Sequence, residues 1–350
     1  MINKEMLEYL NIYISKASEL EIKIMEVCGT HTRAIAKSGI KQLLSENISL
    51  ISGPGCPVCV TDDSYIDLLM DISRDNNIIL VSFGDIINYR IKENSHNNIS
   101  IAYSPKEALN IANENKDKLI VFAAFGFETT APIIASLVIE AQSKNINNIT
   151  FLTALKVMEP VLRYILDNKL NKINALILPG HVATITGSNH FNFVSEDYNI
   201  PSVICGFESL DIISGITMLL KQITEKDFKL NNLYQRCVRK EGNTKALSVM
   251  NKVFEKAEGF WRGIGVIEQS GLTIRQEYDE YNAMKRLGIQ LKNVESYECK
   301  CSEILLGLKS PKQCVFFGKE CTPDKPIGPC MVTSEGACAA YYKYGDSYGR

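Results

Sequence analysis

The chain has 350 residues, of which 45% are hydrophobic and 22% charged, as in globular proteins long enough for two or three domains. Its formal net charge of −2 gives no electrostatic case for binding nucleic acid or an anionic membrane surface. No apolar run approaches the roughly 20 residues that span a bilayer, and the N-terminus lacks a signal-peptide core. We therefore expect a cytoplasmic protein that binds neither nucleic acid nor membrane.

Short runs rich in Ile, Val and Phe recur along the first two thirds of the chain and alternate with stretches of helical periodicity. Seven of these runs predict strands, at residues 22–27, 48–52, 78–83, 119–125, 149–155, 173–179 and 202–205. Helices are predicted between most of them, for example at 62–75, 104–116, 129–144 and 157–170. Apolar strands that alternate with helices indicate parallel sheets covered on both faces, and therefore an α/β fold.

The strands are expected to form two Rossmann-like lobes with parallel sheets. An Asn-rich stretch near residue 145 and a recurring GFE tripeptide predict a four-stranded lobe at 20–144 and a three-stranded lobe at 145–222. The segment 225–261 is interpreted as helical. We expect residues 1–19 and 223–350 to form a third, mostly helical domain that ends in a cysteine-rich iron–sulfur tail.

Polar side chains, several of them able to bind metals, follow six of the predicted strands. They are Cys28 with His31, Cys56 with Cys59, Asp85, Glu128, His181 and Glu208. In open parallel sheets, ligands bind in the crevice beyond the carboxyl ends of the strands. Each residue could instead simply cap the helix that follows it, so the functional interpretation depends on their joint placement.

The motif EVCGTHT (26–32) holds the first pair. Cys28 falls where a helix would begin, and the partial positive charge at a helix N-terminus favours a thiolate. His31 would face the same side, and thiolate with imidazole is half of a site for a divalent metal such as iron. Thr30 and Thr32 could donate hydrogen bonds to whatever Cys28 holds. The alternative is a buried cysteine with His31 satisfied as a cap.

The motif GPGCPVC (53–59) contains a C-x-x-C pair, Cys56 and Cys59, which permits a disulfide or joint metal ligation. Glycine and proline around it predict a rigid, exposed loop. Glu128, in GFETTAP, could orient a metal ligand, relay a proton or cap a helix. His181, in LPGHV, is open to the same alternatives.

The tail is rich in cysteine, although the chain is expected in a reducing compartment where structural disulfides are rare. Six of the eleven cysteines lie there: Cys299, Cys301, Cys314, Cys321, Cys330 and Cys338. Four would serve an iron–sulfur cluster and two would remain as a neighbouring dithiol. A structural zinc site is the alternative, but its usual paired C-x2–4-C knuckles are absent from the tail.

These motifs together resemble the HypD family of hydrogenase maturation proteins. The resemblance rests on CGTHT, GPGCPVC, FGFETTAP, PGHV and the order of the tail cysteines, and it runs nearly end to end. Ser302 departs from it, since the family often has glycine there. The resemblance implies a scaffold that acts with HypC in assembling the Fe(CN)2CO group of [NiFe]-hydrogenases. HypE would deliver cyanide, and the finished group would pass through HypC to the hydrogenase large subunit.

The resemblance also implies individual roles. Cys28 would ligate Fe(II) together with a HypC cysteine, with His31 close by. Cys56 and Cys59 would be the redox-active pair, and Cys301 and Cys330 would form the neighbouring thiol pair. All four are expected to take part in catalysis, as are Glu128 and His181 from their positions at strand ends. The four cysteines implied as ligands of a [4Fe-4S] cluster are Cys299, Cys314, Cys321 and Cys338, although other choices of four from six remain open. Two alternative functions are an iron–sulfur thiol–disulfide oxidoreductase and an interaction module with structural zinc.

Overall fold

The computed structural model describes residues 4–83, 98–168, 172–291 and 299–348, with side chains in the last range given as far as residue 345. The predicted site residue Asp85 lies outside these ranges. The chain forms two compact units, the first made of Met1–Cys59, Leu162–Asn243 and Cys299–Arg350, the second of Val60–Val161 and Thr244–Glu298.

The first unit contains a fully parallel sheet with strand order β2-β1-β7-β8-β9. Its strands are β1 Ile22–Glu26, β2 Ile48–Ser52, β7 Ala175–Leu178, β8 Ser202–Ile204 and β9 Leu230–Asn232. Four helices contribute to the apolar core that contains this sheet, at Lys4–Lys16, Gly29–Ser38, Ser209–Glu225 and Ala337–Tyr348. The unit is therefore an α/β layer structure of the expected class.

The second unit contains a mixed sheet with strand order β10-β11-β6-β5-β3-β4. Its strands are β3 Ile78–Ser82, β4 Ile99–Ile101, β5 Leu119–Gly126, β6 Ile149–Lys156, β10 Phe254–Trp261 and β11 Gly265–Ile274. Strands β3 to β6 are parallel, whereas the β10–β11 hairpin joins β6 in antiparallel orientation. The two parallel-dominated sheets confirm the α/β prediction.

The described α-helices are interspersed with the strands along the chain. They are α1 Lys4–Lys16, α2 Gly29–Ser38, α3 Pro57–Val60, α4 Asp63–Ser73, α5 Pro105–Glu114, α6 Ala131–Ser143, α7 Met158–Asp167, α8 Gly180–Thr186, α9 Phe193–Glu196, α10 Ser209–Glu225, α11 Thr244–Val253, α12 Ala283–Leu287, α13 Cys301–Leu305 and α14 Ala337–Tyr348. In the described part of the chain, no helix combines the length and the apolar character needed to cross a membrane.

All seven predicted strands are present, each within two residues of its predicted bounds. The division of the chain differs from the expected lobes at 20–144 and 145–222, because β1 and β2 pair with β7 and its neighbours while β5 pairs with β6. Of the segment 225–261 that was expected to be helical, the main helix is α11, since β9 and β10 occupy residues on either side of it. The tail belongs to the first unit. Pairing between distant strands, which no local pattern encodes, explains these differences.

Candidate functional site

The sheet of the first unit has a topological switch point between β1 and β7. From β1 the chain moves to β2 on one side, and the later strands β7, β8 and β9 are added on the other. The carboxyl ends of β1 and β7 lie side by side, because Glu26 pairs with Ile177 and Val27 N–H donates to Ile177 O at 3.1 Å. Ligands of open α/β sheets bind at such points.

Cys28 and His181 meet at this switch point. Cys28 follows β1, His181 follows β7, and Cys28 Sγ lies 3.9 Å from His181 Nδ1. The thiol is buried, whereas His181 is exposed. Two residues that the sequence singled out separately, 153 positions apart, thus form one polar contact.

The loop that leads to the C-x-x-C pair packs directly on the backbone of Cys28. Gly29 N–H donates to Gly55 O at 3.1 Å, and a Cβ at Gly55 would lie 2.3 Å from Cys28 N. Only glycine permits this approach. The dithiol and the Cys28 motif are therefore neighbours in the first unit.

The dithiol itself is buried, so the predicted exposed loop is wrong in that respect. Cys56 is 3% exposed and Cys59 0%, and Cys59 lies in the short helix α3. The two thiols contact each other, and burial raises the pKa of Cys59 well above its ordinary value. All eleven cysteines lie in described parts of the chain, and none of them forms a disulfide.

The expectation of a thiolate at Cys28 is wrong for the protein without bound metal. Cys28 is the N-cap of α2, and the N–H groups of Thr30 and His31 do lower its pKa. Burial outweighs them and, with the carboxylate of Glu26, raises the pKa to about 12. A metal that binds this sulfur must therefore displace a proton.

Two carboxylates that the sequence reasoning missed line the Cys28 motif. Glu26, 2% exposed, accepts hydrogen bonds from Cys28 N–H at 3.2 Å and from the Thr32 hydroxyl, and burial raises its pKa to about 8. Glu335 Oε1 accepts from Thr30 Oγ1 at 2.7 Å. The threonines expected to serve the cargo of Cys28 thus donate to carboxylates. A glutamate that ends an apolar strand was the available signal for Glu26.

The imidazole of His31 forms no hydrogen bond with the Cys28 thiol, although the backbone N–H of His31 faces that thiol. Its side chain is fully buried, and its Nε2 lies 3.0 Å from Gly206 O and 3.7 Å from Cys205 Sγ. Because a carbonyl only accepts, Nε2 carries the proton. Burial lowers the pKa of His31 to about 4, which keeps the ring neutral.

Glu128 lies in the second unit, two residues after β5. Its side chain bonds to α7 rather than to α6, the helix that follows it in the chain. Its Oε1 accepts from Met158 N–H, the first residue of α7, at 2.8 Å, and its Oε2 has no partner among the described residues. Burial raises its pKa to about 7. Glu208, by contrast, is exposed and forms a capping box with Asp211 at the start of α10.

The burial of Glu128 predicts a pH-dependent stability. Because its pKa rises from 4.5 to about 7 on folding, its favourable contribution is complete below pH 4.5 and is lost as the pH rises through 7. Glu128→Gln keeps an acceptor for Met158 N–H but has no carboxyl group to titrate. The difference in unfolding free energy between Glu128→Gln and wild type should therefore shift in favour of the variant by about 3 kcal/mol from pH 5 to pH 8. Urea unfolding at both values measures this. The exposed Glu258→Gln is the control, and a wild-type pH dependence in Glu128→Gln would contradict the prediction.

The tail wraps a small apolar cavity that contains most of its thiols. Five cysteines line it: Cys299, Cys301, Cys314, Cys321 and Cys338. A Cβ at Gly328 would lie 2.4 Å from Cys299 Sγ, so glycine leaves this wall open for sulfur. Within the described ranges, no group of three or more potential ligands is preassembled as a metal-ion site. Five thiols around one apolar cavity nevertheless fit the chemistry of an iron–sulfur cluster, which takes four cysteine sulfurs.

Cys330 links this cavity to the dithiol. It does not line the cavity, but its fully buried thiol contacts those of Cys59, Cys301 and Cys338. Cys59 Sγ also lies 3.9 Å from Pro329 O. Thiol contacts therefore run from Cys56 through Cys59 and Cys330 to the cavity wall. Cys205 is buried and Cys237 is exposed.

The first unit is thus an α/β fold with a buried thiol at a sheet switch point, next to a dithiol and a cysteine-lined cavity. Comparison with known proteins identifies the family. The sequence profile described as HypD, hydrogenase formation hypA family, matches residues 3–345. The chain belongs to the HypD family.

Curated relatives agree over almost their entire length. The hydrogenase maturation factor HypD of Escherichia coli is 38% identical, with 95% of this chain and 91% of the relative covered. The hydrogenase expression/formation protein HupD of Azotobacter chroococcum is also 38% identical, covering 93% and 90%. HypD of Rhodobacter capsulatus is 36% identical, covering 95% and 92%. This protein is therefore a hydrogenase maturation factor.

Proposed function

We propose that this maturation factor is the scaffold on which, together with HypC, the Fe(CN)2CO group of a [NiFe]-hydrogenase is assembled. Cyanide comes from HypE, and the finished group passes through HypC to the hydrogenase large subunit. The observation that carries the proposal is the 3.9 Å contact between Cys28 Sγ and His181 Nδ1 at the switch point. The cytoplasmic location expected from the sequence is part of the same proposal.

The iron is the substrate, and Cys28 is the residue that holds it, with a HypC cysteine as the second thiolate. The free thiol is protonated, so iron binding releases its proton. His181 Nδ1 is positioned to receive that proton. Glu26, which accepts from Cys28 N–H, fixes the backbone that presents the sulfur.

Release of cyanide from a thiocyanate needs two electrons, and the Cys56/Cys59 dithiol supplies them. The thiols give two electrons and two protons and close to a disulfide, while the carrier thiocyanate becomes a thiol and hydrogen cyanide. The contact between the two sulfurs permits this closure. Their place beside the Cys28 backbone keeps the released cyanide close to the iron.

A [4Fe-4S] cluster held by Cys299, Cys314, Cys321 and Cys338 would supply single electrons when bound. This set leaves Cys301 and Cys330 as the second thiol pair. Support comes from the cavity, which includes all four proposed ligands, and from the contacts of Cys330 with Cys301 and Cys59. Cys330 would attack the Cys56/Cys59 disulfide and Cys301 would resolve the mixed disulfide, so the Cys56/Cys59 dithiol is restored as Cys301 and Cys330 close to a disulfide. The Cys301/Cys330 disulfide would reopen with two electrons, taken in one-electron steps of the kind the cluster would supply, and two protons from solvent.

This route predicts a selective defect in Cys330→Ser. The variant should retain wild-type iron and acid-labile sulfide, but its Cys56/Cys59 disulfide should no longer be reduced when a one-electron donor reduces the tail. Alkylation of new thiols followed by peptide mass spectrometry measures this. Cys237→Ser, whose thiol is exposed, is the control. Full reduction of the disulfide in Cys330→Ser would remove Cys330 from the route, and zinc without labile sulfide would remove the cluster.

A second candidate function is an iron–sulfur thiol–disulfide oxidoreductase. The contacts between Cys59, Cys330 and Cys301 favour it, because they are those a disulfide reductase needs. It leaves Cys28 and His181 without a role. Reduction of a small disulfide at the wild-type rate by Cys28→Ala, in a protein that binds no additional iron, would favour this function.

A further inference from the structure

The aromatic rings of His31, Phe207 and His181 form a row, and His181, at one end of it, contacts the thiol of Cys28. The ring of Phe207 lies 4.1 Å from that of His181, with an interplanar angle of 21°, and 4.5 Å from that of His31, with an angle of 32°. Two rings this close and this nearly parallel to one phenyl ring would overlap if they shared a face. They therefore lie on opposite faces, and Phe207 separates the two imidazoles.

The inner end of this row is fixed by hydrogen bonding. The fully buried His31 donates from Nε2 to Gly206 O, the carbonyl directly before Phe207, at 3.0 Å. The edge of the Phe207 ring also meets Tyr234, with ring centres 5.9 Å apart at 84°. Phe207 is thus held through its backbone by His31 and through its ring by three neighbours.

The outer end of the row is the group that faces the thiol. His181 is exposed and would otherwise sample several rotamers, but its stacked ring places Nδ1 3.9 Å from Cys28 Sγ. Fixing a reactive side chain with packed neighbours is what a functional site requires. The buried hydrogen bond from His31 to Gly206 O therefore fixes Phe207, and Phe207 in turn fixes the ring of His181 at the site.

We propose that His31 and Phe207 are positioning residues that hold His181 against Cys28, and that His31 is not a ligand of the iron. This assignment rests on the proposed role of Cys28 in holding iron. It changes the role that the EVCGTHT motif predicts for His31, which was half of a site for a divalent metal. We call His31, Phe207 and His181 the histidine stack.

The competing assignment is direct ligation through His31 Nδ1, which is buried and has no hydrogen-bond partner among the described side chains. Two substitutions separate the alternatives. His31→Gln places an amide N–H near the position of Nε2 and keeps the donor to Gly206 O, but removes the imidazole. His31→Asn is too short to keep that donor. A positioning role tolerates only His31→Gln, whereas a ligand role tolerates neither.

The first measurement uses Co(II) alone, titrated anaerobically and followed by its thiolate charge-transfer absorption. His31→Gln should bind within about threefold of wild type, whereas His31→Asn and Phe207→Leu should bind about 10- to 100-fold more weakly, as is usual when a ligand loses its supporting residue. Phe193→Leu, which removes a buried ring of the same unit outside the stack, is the control. Equal loss in His31→Gln and His31→Asn would overturn the proposal.

The second measurement does not need metal. The chain has four histidines, so histidine labelling gives few ring signals in the NMR spectrum. Those of His181 should carry a ring-current shift from Phe207 that persists in His31→Gln and disappears in His31→Asn and Phe207→Leu. An unchanged shift in His31→Asn would overturn the positioning role. Absence of Co(II) binding in the wild type would instead count against the proposed function of Cys28, while the shift would still test the stack.

Discussion

Cys28→Ala protein, purified anaerobically with HypC, should show none of the infrared bands of metal-bound cyanide and carbon monoxide. The substitution removes the sulfur that lies at the switch point beside His181. Alanine fits the buried site without adding bulk, so the fold should persist. If Cys28 is the iron ligand, as proposed, its loss removes the iron group from the scaffold, and we expect complete loss of maturation.

Iron analysis makes this result specific. The iron and acid-labile sulfide of the cluster proposed for the tail should be the same in Cys28→Ala and wild type, because the cavity cysteines are untouched. Cys237→Ala, with an exposed thiol, should keep the full infrared spectrum and serves as the matched control. Persistence of the cyanide bands in Cys28→Ala would show that another residue holds the iron.

Asp63→Ala should destabilise the second unit by about 3–5 kcal/mol, the usual cost of leaving one partner of a buried ion pair unpaired. Asp63 pairs with the guanidinium of Arg262, and both side chains are 8% exposed. Arg262 also donates from N to Val60 O at 3.0 Å and from Nε to Thr61 O at 3.1 Å. It thereby fastens the segment that follows the dithiol in the chain.

Urea unfolding measures this loss, and an exposed pair of the same unit provides the control. Asp279→Ala removes the partner of Lys285, whose side chain is 54% exposed, and should cost less than about 1 kcal/mol. Replacing both buried partners by Leu and Met should recover much of the stability lost in Asp63→Ala, since no charge then remains buried. Equal losses in Asp63→Ala and Asp279→Ala would show that the buried pair is not a major contributor.

The amino-acid sequence was sufficient to predict most strands and helices, and to identify the reactive side chains that follow the strands. The apolar runs encode seven strands within two residues of their observed bounds, because continuous burial needs continuous apolar sequence. Local sequence also encodes helix caps, such as Asp62 at the start of α4, where Oδ1 accepts from Ser64 N–H at 2.9 Å. The Cys28, Cys56/Cys59 and tail motifs were evident from composition and spacing alone.

Which of these strands pair, and which side chains come into contact, is evident only from the three-dimensional structure. The pairing of β1 with β7 brings His181 to Cys28, and the return of the tail places Glu335 against Thr30 and Cys330 against Cys59. Burial, which also depends on packing, turned the expected thiolate of Cys28 into a protonated thiol. Sequence spacing gives the direction of a side chain within its own element, whereas contacts and desolvation depend on what distant segments place around it.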